Sequence, residues 1–116
     1  MAFIGMYMKQ KIVHVIIDRP LGSKHPDYDM IYPVNYGYVE GIFAGDGEEQ
    51  DAYILGIDEP LSEFTGNLIA IVHRRNDNED KWVVTPDGMN FTEDEIRQQL
   101  RFQEKFFDST IEMLNI

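Results

Sequence analysis

Tyr36 to Ile57 reads YGYVEGIFAGDGEEQDAYILGI. Two strand-like segments, Tyr36 to Phe43 and Asp51 to Ile57, flank the turn residues Gly45-Asp46-Gly47, and this arrangement predicts a β-hairpin. Upstream, Lys11 to Ile17 (KIVHVII) is a β-branched run stopped by Asp18-Arg19-Pro20 and Gly22, which predicts one more strand. Ser23 to Pro33 has no period and reads as a loop. Downstream, Asn67 to His73 (NLIAIVH) and Lys81 to Val84 (KWVV) predict a strand pair around the polar turn Arg74 to Asp80. A helix follows five strands. Thr92-Glu93-Asp94-Glu95 fits a capping box, with acidic residues at the positive helix end. Ile96, Leu100 and Phe107 then form one stripe, flanked by Phe106. The expected architecture is a single domain over residues 1–116, mainly β (α+β): a small five-stranded, OB-like Greek-key barrel with a C-terminal amphipathic helix.

Composition narrows the function. The 116 residues carry a formal charge of −11 and no cysteine, which excludes disulfides and cysteine zinc sites. With no basic cluster longer than Arg74-Arg75, nucleic acid and anionic lipid are not expected partners. No window approaches the roughly 20 apolar residues of a membrane span, and Met1 to Met8 lacks the charged lead and cleavage site of a signal peptide. A cytoplasmic protein is expected.

The hairpin turn holds the densest chemistry. Asp46-Gly47-Glu48-Glu49-Gln50-Asp51 places four carboxylates in six residues, and a turn at Gly47 could let Asp46, Glu48 and Asp51 converge. Two carboxylates about 5 Å apart repel by roughly 3 kcal/mol at an effective dielectric near 20, so such a cluster is exposed, protonated or bridged by a cation. All-oxygen donors favour Mg²⁺, Mn²⁺ or Ca²⁺ over zinc. Two readings stay open: a solvated acidic turn, or a metal site shared with the later acidic turn of Asp77, Glu79 and Asp80. The EF-hand is a poor match, because its sixth loop position requires Gly and here, counting from Asp46, it is Asp51. His14, His25 and His73 are scattered, which argues against a histidine metal site. Lys24 and Lys81 are candidates for holding an anion opposite the metals. Tyr36 and Tyr38 share a sheet face at the strand leading into the turn.

Tyr32-Pro33-Val34-Asn35-Tyr36-Gly37-Tyr38, followed in register by Asp46 to Asp51, resembles the signature of the soluble Mg²⁺-dependent inorganic pyrophosphatases. In that family a Tyr-Pro-x-Asn-Tyr-Gly-Tyr strand precedes Asp-Gly-Asp-x-x-Asp. The resemblance implies the barrel fold and hydrolysis of pyrophosphate to two phosphates by metal-activated water. It implies Asp46, Asp51, Asp77 and Asp80 as metal ligands and Glu48 as the group that orients or deprotonates water. Asp51 and Tyr36 join the catalytic set, and Lys24, Tyr36 and Lys81 bind phosphate. Mg²⁺, or Mn²⁺, is the implied cofactor, and copies of the chain could assemble into a homo-oligomer. Four features depart from the pattern: a shorter chain, Glu48 for the middle Asp, only Lys24 and His25 as basic residues between Ser23 and Ile31, and Phe106-Phe107 where the family has Tyr-Lys. The alternatives are therefore a weakened module that binds a metal-phosphate ligand, or a hydrolase of another small phosphoanhydride.

Overall fold

The computed structural model describes residues 11–75 and 79–114. Strand β1, Ile12–Arg19, runs antiparallel to β2, Asn35–Phe43, and β2 turns back into β3, Glu49–Ile54. Strand β4, Glu63–Arg74, pairs antiparallel with β5, Asp80–Thr85, which lies parallel to β3. The beginning of β4 also pairs with β1, Ile12 opposite Asn67 and Ile16 opposite Glu63. That last pairing closes β1-β2-β3-β5-β4 into the expected five-stranded barrel. Closure leaves these strands without a long free edge. No helix among the described residues is long and apolar enough to cross a membrane.

Alternation along the strands divides the apolar residues into two layers. Val13, Val15, Ile17, Val39, Ala52, Ile54 and Val84 fill the barrel. Tyr53, Leu55, Val72 and Val83 point outward and are covered by Ile96 and Leu100 of helix α1, Glu93–Glu104. Strand β3 is buried on both faces over its last three residues, Ala52 to Ile54, which are correspondingly apolar. Full burial of Ile96 and Leu100 contributes about 1.5–3 kcal/mol for each side chain. The helix starts as its sequence predicts: Thr92 Oγ1 accepts the Glu95 N–H at 3.1 Å, and the Thr92 N–H donates to Glu95 Oε1 at 2.8 Å.

Two residues of the Tyr-Pro-Val-Asn-Tyr-Gly-Tyr stretch are architectural. Asn35 is fully buried, its Oδ1 accepting the N–H groups of Leu21 and Leu61 at 2.9 and 3.1 Å while its Nδ2 donates to the Glu59 carbonyl at 2.9 Å. One amide thus ties two loops to the barrel. Gly37 faces Ile17 across the β1–β2 pair, and a Cβ there would collide with the Ile16 carbonyl oxygen. Only glycine lets the two backbones approach this closely.

The helix is not the last element. Strand β6, Ser109–Met113, returns along β4, with Ser109 opposite Arg74 and Met113 opposite Ala70. The expectation of a chain ending in the helix is corrected here. Strand β4 outlasts its pairing with β1, so the same edge from Ala70 onward has backbone groups that need a partner, and β6 supplies them. His73 fastens this addition, its Nδ1 2.9 Å from Asp80 Oδ1 and its Nε2 2.8 Å from Glu112 Oε1. The hydrogen bond to Glu112 raises the His73 pKa, partial burial opposes it, and Asp80 adds to the rise, leaving it above 6.5. The favoured form is protonated, so this contribution is complete below pH 6.5 and fades as pH rises through the higher folded value. Melting temperature should therefore fall with rising pH across that window, and His73→Gln should flatten the dependence. A parent and variant with parallel profiles would show that His73 does not couple β6 to the sheet.

Candidate functional site

Beyond the apolar patch under α1, the same outward faces of the strands become polar. Tyr36 of β2, Asp51 of β3, Arg74 of β4 and Lys81 of β5 border a cavity of about 380 Å³. Asp18 and Arg19 at the end of β1 form one side, and the loop from His25 to Tyr28 with Tyr32 forms another. Gln103, Phe106 and Phe107 close it from the helix end.

Lys81 lies at the centre of the site's charge. It is 4% exposed, and its Nζ donates to Asp51 Oδ2 at 2.5 Å and Glu79 Oε1 at 2.6 Å. One ammonium is shared by two carboxylates, which leaves the trio with a net negative charge. The Tyr36 ring lies 5.7 Å from the same ammonium. Burial, and then the negative charge of Asp51, push the Tyr36 phenol well above its ordinary value, so it remains a neutral O–H.

Arg74 is 6% exposed and makes a bidentate pair with Glu104, Nε to Oε1 at 3.0 Å and Nη2 to Oε2 at 2.7 Å. Its guanidinium stacks 3.7 Å from the Phe107 ring centre. Glu104 also accepts from Tyr53 Oη at 2.6 Å, and Gln103 Nε2 donates to that same hydroxyl at 2.6 Å. The end of α1 is thus pinned beside the cavity through polar groups.

The sequence-derived candidates divide. Tyr36, Asp51 and Lys81 come together at the cavity. Asp46 and Glu48 are exposed at the hairpin tip, where Asp46 Oδ1 accepts the Glu48 N–H at 3.0 Å, and neither borders the cavity. The strand register explains this: Tyr38 opposes Asp51 but Phe43 opposes Glu49, so β2 carries extra residues that shift the pairing before the tip. Lys24 is exposed and bridged to Ile31 outside the cavity lining. Asp80 projects to the opposite sheet face from Lys81 and is engaged by His73. Asp77 lies outside the described residues. Among the described residues, no group of three or more His, Asp or Glu side chains is placed to hold a metal ion.

Several groups at the cavity went unread in the sequence. Glu79 reads in the sequence only as part of an acidic turn, yet β-strand parity places it on the face of Lys81, two residues away, where it pairs with the Lys81 ammonium behind the cavity lining. Arg19 is the cross-strand partner of Tyr36 and borders the cavity, which brings a guanidinium to the site from β1 instead of from the loop at 23–31. Arg74 reads as the start of a polar turn but is the last residue of β4, on the same outward face as Val72.

Solved structures of similar architecture are inorganic pyrophosphatases. The enzyme from Ehrlichia chaffeensis superposes with a TM-score of 0.69 at 17% identity, covering 91% of this chain and 86% of that one. The Helicobacter pylori enzyme gives 0.62 at 15% identity over 93% and 85%. The Neisseria gonorrhoeae enzyme gives 0.61 at 18% identity over 82% and 75%. No protein-family model matches the sequence, and no curated protein matches it. The chain has the fold of the inorganic pyrophosphatases.

Proposed function

We propose that this chain is a cytoplasmic, divalent-metal-dependent hydrolase that binds inorganic pyrophosphate in the cavity and cleaves it to two phosphates. The observation that carries this reading is the buried Lys81 shared by Asp51 and Glu79 beside a neutral Tyr36, open to a cavity that Arg19 and Arg74 also border. Lys81, Arg19 and Arg74 supply positive charge for the phosphoryl oxygens, which take up negative charge as the bridging bond breaks. Tyr36 donates its O–H, being too weak an acid there to ionise. Asp51 is the cavity carboxylate suited to take the proton of an attacking water, a role the sequence assigned to Glu48.

Asp51 and Glu79 fit a hard ion in donor chemistry, because two carboxylate groups already converge on one cation. Mg²⁺ or Mn²⁺ held there would take the place the Lys81 ammonium now fills, neutralise the diphosphate and acidify a bound water. Asp46 and Asp80, as placed, add nothing to that pair. This placement favours a second reading, a module that binds a phosphate ligand without turnover.

Phosphate release from pyrophosphate, measured with Mg²⁺, with Mn²⁺ and with a chelator, decides between them. Metal-dependent release is expected, reduced on the order of a hundredfold or more by Asp51→Asn. Pyrophosphate binding without release under any of these conditions establishes the module; no binding at all overturns both readings.

A further inference from the structure

We propose that the mouth of the cavity also accepts a planar ring attached to the diphosphate, so that the ligand class extends from bare pyrophosphate to nucleoside diphosphates. This rests on the diphosphate reading above and concerns the part of the cavity that reading does not use. The ionic residues Asp51, Lys81 and Arg74 lie on the sheet floor. The mouth is aromatic. Tyr28 and Phe106, 56% and 54% exposed, stack with ring centres 5.7 Å apart and planes at 17°. His25 lies 4.8 Å from Tyr28 and stacks on Tyr32 at 5.6 Å and 11°.

The ring faces of this mouth suit no part of a bare diphosphate, whatever His25 and the Lys105 ammonium, 5.3 Å from the Phe106 ring centre, could offer it. Phe106 and Phe107 have no hydrogen to donate to phosphate, and an aromatic face, being the negative side of the ring quadrupole, repels an anion. A planar heterocycle has the opposite preference, stacking on aromatic side chains. Size agrees: about 380 Å³ falls within the range that organic ligands fill. His25 adds a polar contact. Its Nδ1 accepts the N–H groups of Asp27 and Tyr28 at 3.0 and 3.2 Å, so the neutral ring carries its proton on Nε2, a donor for a sugar hydroxyl or a phosphate oxygen.

The test is calorimetric titration of ADP, pyrophosphate and dimethylallyl diphosphate into the parent, Phe106→Leu and Phe106→Ala. Phe106 is exposed, and thermal melts confirm that the variants fold. For both variants, the ratio of ADP to pyrophosphate affinity should fall by roughly five- to a hundredfold, the loss expected of a stacked base. An unchanged ratio in both variants overturns the ring assignment while leaving pyrophosphate binding intact. Tighter binding of dimethylallyl diphosphate than of ADP also overturns it, in favour of an aliphatic group at the mouth. If none of the three probes binds the parent, the ring assignment and the diphosphate reading fail together.

Discussion

Glu104→Ala is expected to lower the unfolding free energy by about 3–5 kcal/mol, read as a lower urea midpoint at unchanged slope. The carboxylate accepts four hydrogen bonds: two from Arg74, one from Tyr53 at 2.6 Å, and one from Ser109 at 2.7 Å. These donors come from β3, β4 and β6, so a single side chain at the end of α1 joins the helix to three strands. Truncation takes the bidentate partner from the buried Arg74 guanidinium and leaves the longer 3.9 Å pair with Glu79, and breaking a buried pair costs more than an exposed pair gains. Replacing both members, Arg74→Met with Glu104→Leu, should recover much of the loss, since neither member of the pair is then left buried without the other. Acid behaviour provides a second readout. Burial raises the Glu104 pKa, but the bonds from Arg74, Tyr53 and Ser109 outweigh it and hold the group below 4.5. The stabilisation is therefore complete above about pH 4.5 and is lost as pH falls through the lower folded value. Glu104→Ala should show a shallower acid slope than the parent. A loss under about 1 kcal/mol, typical of an exposed pair, would mean that the network does not hold the helix end.

The barrel was legible because its information is local. Alternation in Tyr36 to Phe43, the glycine turn at 45–47 and the capping box at Thr92 each follow from short-range chemistry and mark the right elements, but β3 spans Glu49–Ile54 instead of Asp51 to Ile57, and the helix ends at Glu104, so Phe107 leaves the helical stripe and stacks on Arg74. Strand β6 was not legible, because Ser109 to Met113 has weak alternation and its reason to be a strand is an open edge of β4 distant in sequence. The site divides the same way. Tyr36, Asp51 and Lys81 were found by motif and meet at the cavity, whereas Asp46 and Glu48 were assigned with them on spacing that ignores the extra residues in β2. A register shift is a property of two strands together and leaves little trace in either alone. Glu79, by contrast, was within reach: counting by twos from Lys81 selects it over Asp80.

Lys81→Met is expected to reduce pyrophosphate turnover by about a hundred- to a thousandfold, the usual cost of removing one positioned charge donor from a reacting phosphoryl or acyl centre. The same change tests how the two carboxylates are held. With the ammonium gone, Asp51 and Glu79 face each other across the space it occupied, and two such charges about 5 Å apart repel by roughly 3 kcal/mol at an effective dielectric near 20. The metal-free variant should therefore melt lower than the parent. A divalent cation can replace the lost charge between two oxygen donors, so millimolar Mg²⁺ should raise the variant's melting temperature by more than it raises the parent's, because a ligand that binds only the folded state stabilises it by mass action. Asp51→Asn in the Lys81→Met background should remove this Mg²⁺ response, since one carboxylate alone is a poor site for an ion that surrenders its water reluctantly. If Lys81→Met and the parent gain equally from Mg²⁺, then Asp51 and Glu79 are not a latent cation site and Lys81 is simply the permanent counter-charge of a phosphate-binding pocket. In that case the variant should still lose pyrophosphate binding, which isothermal calorimetry without metal would record directly.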